Sequence, residues 1–378
     1  MKALVLGSGL QGSACALDLL RTTDAQVTIA DRAPERLAPF LLEWRARRLA
    51  VLSVDAKDEA SLRDVFRGQD VVLSALPYYL NVAIAKLAIE SGAHFCDLGG
   101  NTDIVRQQEA MDGEAKKRGV SVVPDCGVAP GMVNILAAEA MRRVDRVESV
   151  KLYVGGLPQH PHPPLNYNIV YSLEGVLDYY TTPSWVLREG KPAQVEALSE
   201  VEEVEFPAPL GRLEAFHTAG GVSTMPWTMG DGVRTMEYKT LRYPGHAAIM
   251  QGIRQLGLIG TEPVTVRGNQ VVPRDLFISV VDPLLRRAEP DLIALRVDVT
   301  GTKAGTASRV AFQVLDYYDA NLKVSAMMRT TAYSLSITGQ MQVAGTIKPG
   351  VCVSYQATPF DPYVAELSKR GVEILTVE

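Results

Sequence analysis

The sequence lacks several features that would assign it to a large class of proteins. Its four cysteines are scattered without a Cys-x-x-Cys pair, which argues against a disulfide framework and a tetrahedral zinc site. No run of lysine and arginine exceeds three residues and the formal net charge is -5, so nucleic acid is not an expected partner. No stretch is apolar enough to cross a bilayer, and the amino-terminal segment does not resemble an export signal. We therefore expect a cytoplasmic protein without a metal site, a membrane partner or a nucleic-acid partner.

Two sequence patterns alternate from the start of the chain to about residue 128. Short apolar runs predict buried strands, and the segments between them carry apolar residues at helical spacing. The predicted strands are 2–6, 27–30, 50–54, 71–74, 94–97 and 120–124. The predicted helices are 10–20, 36–48, 62–67, 82–91 and 104–117. This alternation predicts an α/β fold with a doubly wound parallel sheet of the Rossmann type over residues 1–128.

The pattern changes after Pro130, as expected for a chain of 378 residues with 47% hydrophobic content, which is long enough for two cores. A helix is predicted at 132–143 and a strand at 149–154. Strict alternation at 213–218, 293–299 and 310–314 predicts antiparallel strands with one buried face. We expect an α+β substrate and dimerisation domain at 129–330 with a mixed or antiparallel sheet. Residues 331–378 are predicted to return to the first domain.

A glycine-rich loop joins the first predicted strand to the first predicted helix. Gly7, Gly9 and Gly12 allow a pyrophosphate to approach the backbone N–H groups at the start of the helix, where Leu10 and Gln11 lie. The loop opens a βαβ unit, which makes a turn of purely structural purpose the weaker interpretation. The sequence therefore predicts a dinucleotide cofactor.

The residues that follow the second and third strands bear on the choice of cofactor. Asp31 lies 19 residues after Gly12, where a carboxylate can accept hydrogen bonds from the adenosine ribose. That carboxylate would repel a ribose phosphate, which favours NAD, whereas Arg32 beside it could partly accommodate NADP. Asp55 ends the third strand and is either a contact on the adenine side or a solvated strand end.

Over its whole length the chain resembles the saccharopine dehydrogenase-like family, and within it the lysine 6-dehydrogenase branch. The resemblance is carried by five segments in order and spacing. They are Asp97-Leu98-Gly99-Gly100-Asn101, Pro124 to Asn134, Pro164-Leu165-Asn166-Tyr167, Tyr171-Ser172-Leu173-Glu174-Gly175 and Lys239 to His246. The resemblance implies that NAD oxidises the ε-amine of L-lysine to an imine, which hydrolyses to allysine and ammonia; allysine then cyclises.

The predicted chemistry needs a neutral amine, because a protonated nitrogen cannot supply electrons as hydride leaves the neighbouring carbon. Asp97 ends the fifth strand and is the first candidate for a base or an anionic partner, although a turn carboxylate is equally consistent with its position. His217 is a second candidate for proton transfer, or else a structural histidine bonded to the backbone. Cys126 follows the sixth strand and either lies beside the nicotinamide or packs in the core.

Three residues in the family-like segments are candidates for holding the substrate. Arg242 precedes a proline-glycine turn, and its guanidinium could pair with the α-carboxylate. Glu174 could hold an amino group or be a surface carboxylate. Asn101 is the third candidate for a substrate contact. A homodimer or larger homo-oligomer is expected.

Two other functions remain open from the sequence. A saccharopine or carboxyspermidine type dehydrogenase would act on a secondary amine. Saccharopine reductases typically carry an aspartate before the Pro-Gly that corresponds to Pro130-Gly131, where this chain has Ala129, and tend to have histidine in place of Asn134. The other alternative, from a different class, is an NAD(P)-binding redox sensor without turnover.

Overall fold

The computed structural model describes residues 1–170 and 172–377, so Tyr171 of one family-like segment lies outside the described residues. Within them the chain forms a seven-stranded sheet, a nine-stranded sheet and a separate two-stranded hairpin. The predicted α/β class, with a second domain built on a mixed sheet, is confirmed. None of the described helices is both long and apolar enough to cross a membrane.

The first sheet is parallel throughout, and its strands follow the order β3-β2-β1-β4-β5-β6, with a further strand from the carboxyl-terminal region beside β6. Its strands are β1 (Lys2–Leu6), β2 (Gln26–Asp31), β3 (Leu49–Ser53), β4 (Val71–Ser74), β5 (His94–Asp97) and β6 (Ser121–Val123). The helices are α1 (Leu10–Thr22), α2 (Glu59–Phe66), α3 (Asn81–Ser91), α4 (Thr102–Glu109), α5 (Asp112–Arg118) and α6 (Met132–Arg142). The carboxyl ends of these parallel strands meet at one edge, where ligands bind in such folds.

Two helix predictions in this domain are wrong. Residues 36–48 do not form an α-helix; the segment instead contains short 3₁₀ turns at Pro34–Arg36 and Pro39–Trp44. Each turn begins at a proline, which has no N–H for an α-helical ladder and restricts the residue before it. Residues 104–117 form two helices rather than one, because the chain turns at Ala110 and Met111 between α4 and α5.

The second sheet has the order β10-β11-β12-β7-β15-β16-β18, and β8 joins β12 to β9 beside it. Only β12 and β7 run parallel, so the sheet is mixed. Its strands are β7 (Arg146–Pro158), β8 (Ser184–Arg188), β9 (Lys191–Val195), β10 (Glu202–Phe206), β11 (Gly211–His217), β12 (Thr235–Arg242), β15 (Asp291–Lys303), β16 (Thr306–Tyr317) and β18 (Leu375–Val377). Strands β13 (Val264–Val266) and β14 (Asn269–Val271) pair with each other as the separate hairpin. The helices of this region are α7 (Leu173–Thr181), α8 (Met225–Thr228), α9 (His246–Gln255) and α10 (Pro273–Leu285).

The carboxyl-terminal segment returns to the first sheet and then leaves it again. It contains α11 (Ala326–Val343), β17 (Gly350–Val351), α12 (Ser354–Ala357) and α13 (Phe360–Lys369) before β18. Strand β17 pairs with β6, and Gln342 of α11 donates hydrogen bonds to the carbonyl oxygens of Phe95 and Ser121 at 2.8 and 3.0 Å. Strand β17 and helix α11 therefore pack on the first sheet. The last strand is an exception, because β18 at 375–377 pairs with β16 of the second sheet.

Candidate active site

The glycine-rich loop has the geometry of an anion-binding turn. Helix α1 begins at Leu10 without a side-chain cap, so the N–H groups of its first turn face outward. A Cβ atom at Gly12 would overlap the carbonyl oxygen of Gly7, which itself has φ of +99°. A Cβ atom at Gly9 would meet nothing within 4 Å. Gly12 is thus needed for the turn, whereas the space at Gly9 is open to a ligand.

Asp31 closes this loop at the end of β2. Its carboxylate accepts hydrogen bonds from the N–H of Ser8 at 2.6 Å and of Ala33 at 2.8 Å. Partial burial alone would raise the pKa of Asp31, but these donors outweigh it and the pKa is lowered. The carboxylate is therefore ionised where a ribose hydroxyl would be held.

A cavity of about 180 Å³ lies on one side of Asp31, between the ends of the neighbouring strands. Arg32, Asp55 and Tyr79 line it together with Asp31. Asp55 also accepts a hydrogen bond from the N–H of Lys57 at 2.9 Å, which fixes the turn after β3. The position and size of this cavity suit an adenine ring.

A wider groove of about 1100 Å³ lies on the other side of Asp31. It occupies the region where the predicted helix 36–48 is replaced by 3₁₀ turns, and Phe40 and Glu43 of those turns line it opposite Leu17 and Arg21 of α1. The groove adjoins the ribose end of the cofactor region. It is therefore not the place where a substrate would meet a nicotinamide.

A smaller cleft of about 190 Å³ lies between the two domains, beyond the carboxyl ends of β5 and β6. Gln11 reaches it from the glycine-rich loop, and its buried Oε1 has no hydrogen-bond partner among the described residues. The other lining residues are Leu98, Gly99, Gly127, Val128, Ala129, Pro130, Val154, Gly156, Val170, Tyr179, Thr218, Ala219, Tyr238, Thr240, Arg242, Met327 and Thr331. Most of these walls are apolar, and hydroxyl groups supply most of the polar atoms.

Arg242 contributes the charge of the cleft. It is the last residue of β12, and only 4% of its surface is exposed. Its guanidinium donates to the carbonyl oxygen of Leu241 at 2.8 Å and lies 4.7 Å from the centre of the Tyr167 ring. A cation held over an aromatic ring in a buried wall is well placed to pair with an anionic ligand.

His246 lies behind Arg242 and is neutral. Burial and the neighbouring Arg242 charge lower the pKa of His246 to about 3. Its Nδ1 lies 2.9 Å from the carbonyl oxygen of Leu165, so that nitrogen carries the proton and donates. Its Nε2 then accepts from the hydroxyl of Tyr180 at 2.9 Å. These contacts fix the rings of His246 and Tyr180 behind the Arg242 guanidinium without adding a second charge.

Asp97 lies at the carboxyl end of β5, but its carboxylate is fully buried beneath the cleft. It accepts hydrogen bonds from the Gln108 side chain and the Gly99 N–H, both at 2.7 Å. Burial outweighs these donors and raises the pKa of Asp97 to about 6. Asp97 is not among the residues that line the cleft, and its contacts hold the loop of Leu98 and Gly99, which does line it.

Asp125 is a second buried carboxylate, and it is not among the site residues predicted from the sequence. It has φ of +60° and accepts hydrogen bonds from the hydroxyl of Ser223 and the N–H of Gly100. Burial, reinforced by the nearby Asp97 charge, raises the pKa of Asp125 to about 7. Its sequence signals are that it follows β6 and lies in the family-like segment Pro124 to Asn134. The Ser223 contact ties the first domain to the second domain directly below the cleft.

His217 and Cys126 also lie away from the cleft. Cys126 is fully buried, and its thiol donates to the carbonyl oxygen of Val123 at 3.2 Å. His217 points to the face of the second sheet opposite Thr218, where its Nε2 lies 3.1 Å from a Glu200 oxygen. Burial lowers the pKa of His217 despite that carboxylate.

The carboxylates around His217 already have a cation among them. Oxygen atoms of Glu200 and Glu237 and a nitrogen of His217 lie within 4.8 Å of one another, which is compatible with a metal ion. However, Arg188 contacts both carboxylates at 2.8 Å. Lys151 and Lys239 also lie 3.7 and 4.0 Å from Glu237, so the carboxylates already have their counter-charges and we assign no ligand to the cluster.

Glu174 and Asn101 are not brought into the cleft either. Glu174 is exposed in the first turn of α7, whereas Tyr179 of the same helix lines the cleft. The side chain of Asn101 caps α4 and accepts from the N–H groups of Asp103 and Ile104 at 3.0 and 3.2 Å. Among the sequence-selected substrate residues, Arg242 is the one that the fold places in the cleft.

Comparison with known proteins agrees with this architecture. Residues 3–123 match the profile of the saccharopine dehydrogenase NADP binding domain, and residues 127–372 match that of the saccharopine dehydrogenase C-terminal domain. The chain belongs to the saccharopine dehydrogenase family. The first domain is therefore an NAD(P)-binding domain, and the resemblance inferred from the motifs is confirmed at the level of the family.

Curated relatives fall into two groups of different length. The mouse mitochondrial alpha-aminoadipic semialdehyde synthase is 29% identical over 271 residues, which cover 69% of this chain and 29% of that protein. The saccharopine dehydrogenase [NADP(+), L-glutamate-forming] of Schizosaccharomyces pombe is 22% identical and aligns over 98% of this chain and 97% of its own. The apo structure of the L-Glu forming saccharopine dehydrogenase of Saccharomyces cerevisiae superposes over both entire chains with a TM-score of 0.81 at 21% identity, which shows a shared fold.

Proposed function

We propose that this protein is an NAD-dependent dehydrogenase that oxidises the ε-amine of L-lysine to allysine with release of ammonia. The observation that carries the proposal is the interdomain cleft, where Arg242 is the charged member of an otherwise uncharged wall. A substrate with one carboxylate, an aliphatic chain and an amine at its far end matches that wall. Relatives named as dehydrogenases support an oxidoreductase in general terms.

The cleft accounts for how lysine would be oriented. The α-carboxylate pairs with Arg242, whose buried position makes a charge-assisted hydrogen bond strong. The aliphatic chain packs along Val154, Met327 and Pro130. The amine end is then directed toward Gln11 and the glycine-rich loop, where the two domains meet.

Proton loss from the amine does not require a side chain of the cleft wall. Among the described lining residues none is a carboxylate or an imidazole. At the ε-amine end a protonated nitrogen would be desolvated without an anionic partner, which is unfavourable, whereas the α-ammonium stays beside the substrate's own carboxylate. We therefore propose that the neutral amine is the form that binds and that its proton is lost to solvent beforehand.

The residues of the first domain fit a dinucleotide. The open space at Gly9, the uncapped start of α1 and the ionised Asp31 provide sites for the pyrophosphate and the ribose. NAD would supply the hydride acceptor. The C6–H bonding pair of lysine would then leave as hydride while the nitrogen lone pair forms the C=N bond, and one N–H proton would pass to water. Addition of water and loss of ammonia then give the aldehyde, which the cleft releases.

The choice of NAD over NADP rests on Asp31. Its carboxylate is ionised and would repel a 2′-phosphate on the adenosine ribose. Arg32 beside it reduces that repulsion, so we expect a preference rather than exclusion. The NADP-dependent relatives named above make this preference a point to test.

A saccharopine-type reaction is the second candidate, and the names of the full-length relatives favour it. Saccharopine carries several carboxylates and a secondary amine. A cleft of about 190 Å³ with Arg242 as the cation of its described walls matches that substrate less well than it matches lysine. Lysine is therefore the first candidate substrate.

The decisive experiment is NADH formation by the purified protein with L-lysine. Saccharopine, ornithine and carboxyspermidine are tested in parallel with either NAD or NADP. Turnover of lysine that exceeds all three supports the proposal. Turnover of saccharopine alone would replace it with the second candidate, and cofactor binding without turnover of any amine would favour a redox sensor.

A further inference from the structure

The side chain of Gln11 carries a polar atom that the protein itself leaves without a partner. Gln11 is the second residue of α1, and it lines the interdomain cleft. Its Oε1 is buried and accepts no hydrogen bond from any described residue. A buried acceptor without a donor lowers the stability of a folded protein, so such an atom usually marks the place of a bound ligand or water.

The first domain contributes no other polar side chain to the described lining of this cleft. Up to residue 130 the remaining lining residues are Leu98, Gly99, Gly127, Val128, Ala129 and Pro130. Arg242, the charged lining residue, belongs to β12 of the second domain. A ligand that spans the cleft therefore meets a guanidinium on the second domain and a carboxamide on the first.

The polar groups of the cleft differ in what they can offer to an amine. A guanidinium only donates hydrogen bonds, whereas a hydroxyl can donate or accept. The hydroxyls of Thr218 and Thr240 are hydrogen-bonded to each other at 2.7 Å. A carboxamide oxygen only accepts. The Oε1 of Gln11 can thus take an N–H of an amine without contacting its lone pair.

This property of an acceptor suits hydride transfer from a carbon next to nitrogen. The nitrogen lone pair must be free to form the C=N bond as hydride leaves C6. A donor at the nitrogen would hold that lone pair, whereas an acceptor leaves it available. Positive charge also develops on the nitrogen as hydride leaves. A hydrogen bond from this N–H to Oε1 therefore becomes charge-assisted and is stronger in the transition state than in the bound substrate.

We propose that Gln11 is a catalytic residue whose Oε1 accepts a hydrogen bond from the neutral ε-amine of lysine and from the iminium that forms from it. The inference rests on the proposed function, because it takes lysine as the substrate. No proton passes to Gln11, since a carboxamide oxygen is not basic; the iminium loses its N–H proton to water. The backbone N–H of Gln11 stays available to the pyrophosphate.

Binding of two lysine analogues isolates the contact at the amine. In 6-hydroxynorleucine a hydroxyl replaces the ε-amine and can donate to Oε1, whereas norleucine ends in a methyl group. Calorimetry on the wild type saturated with NADH should give a dissociation constant about tenfold lower for 6-hydroxynorleucine than for norleucine. Gln11→Leu should remove that difference and leave the binding of norleucine and NADH within about twofold of wild type.

Steady-state kinetics with lysine add a readout that a structural role for Gln11 would not change. In the wild type the rise of kcat/KM with pH should lie in KM, because only the neutral amine binds. Gln11→Glu places a carboxylate where it can pair with the ammonium form. At pH 8 both KM and kcat should then fall by about tenfold, and the pH dependence should move into kcat.

Gln107→Leu is the matched control, because Gln107 is an exposed glutamine of the first domain and should behave as wild type in each measurement. Melting curves check that each variant is folded. Equal binding of the two analogues by the wild type, or a difference that survives Gln11→Leu, would overturn the proposal. So would a tenfold loss of NADH binding in Gln11→Leu, which would assign Oε1 to the cofactor. A wild type that distinguishes the analogues but does not oxidise lysine would overturn the proposed function and support the Gln11 contact.

Discussion

The carboxylate of Asp97 accepts a hydrogen bond from the side-chain amide of Gln108 at 2.7 Å, in a position that solvent does not reach. Asp125, whose N–H lies 3.5 Å from the same carboxylate, is equally buried. Two acids of this kind, at the ends of adjacent parallel strands, make the free energy of unfolding depend on pH.

The pH dependence can be isolated with Asp125→Asn. Burial raises the pKa of Asp125 to about 7, above its value near 3.9 in the unfolded chain. The folded state therefore binds more protons between these values, and the stability from this group is present below about pH 4 and lost as pH rises to about 7. As pH rises from 4 to 8, the free energy of unfolding of Asp125→Asn should increase relative to that of the wild type by on the order of 2 to 4 kcal/mol.

Melting curves of both proteins across that pH range measure this gain. The exposed Asp24 provides the control, and Asp24→Asn should give a curve that runs parallel to wild type. Parallel curves for Asp125→Asn as well would show that the buried carboxyl does not titrate in this range.

The cofactor preference can be tested at Asp31. Asp31→Ser removes the ionised carboxylate that the N–H groups of Ser8 and Ala33 stabilise. The KM for NAD should rise, and the preference for NAD over NADP should fall by about tenfold or more, because repulsion of a 2′-phosphate is removed. Steady-state kinetics with each cofactor measure both effects, and unchanged selectivity would reject the role given to Asp31.

The loop itself can be tested at Gly9. A side chain at this position meets no protein atom within 4 Å, so Gly9→Val should fold normally. It should abolish NAD binding, because the branched side chain fills the space proposed for the pyrophosphate. Calorimetric titration with NAD, after a melting curve has shown the variant folded, would contradict this if it gave the wild-type affinity.

The carboxylate anchor can be tested by comparing two amines. Arg242→Ala should weaken the use of lysine by an amount on the order of 2 to 5 kcal/mol in kcat/KM, mostly through KM, because the guanidinium is remote from the reacting carbon. Cadaverine has no carboxylate and should be a poor substrate that the substitution affects far less. Equal losses for both amines would mean that Arg242 supports the aromatic wall of Tyr167 rather than the substrate.

The activity should rise with pH if the neutral amine is the form that binds. A free lysine side chain has a pKa near 10.4, so the reactive fraction grows about tenfold for each pH unit below that value. We expect kcat/KM for lysine to follow this rise from pH 7 toward pH 10. A profile that is flat over the range would indicate a base within the site.

Most of the first domain could be predicted because its signals are local. The strands at 71–74 and 94–97 are found where the apolar runs predicted them, and the glycine-rich loop precedes α1 as expected. The predicted helix 36–48 failed at a signal that was also local, since Pro34 and Pro39 stand where the structure has 3₁₀ turns. The 3₁₀ turns that replace this helix line the groove beside Asp31.

The site was less predictable, because side-chain direction depends on distant partners. His217 was correctly expected on a strand, but its neighbour Thr218 is the residue that faces the cleft. Asp97 was expected at a strand end, yet Gln108 of the following helix draws its carboxylate inward. Arg242 could be selected because two signals agreed on it. It precedes a proline-glycine turn, and it lies in a family-like segment.

The position of α11 has a consequence for how the protein is made. This helix is buried along nearly its whole length against β4, β5 and α1, and a Cβ atom at Gly339 would lie 2.8 Å from the Leu73 side chain. A nascent chain that has emerged from the ribosome only as far as residue 325 has all six of the early parallel strands but not the helix that covers them. The dinucleotide-binding half therefore cannot complete its core until α11 has been synthesised.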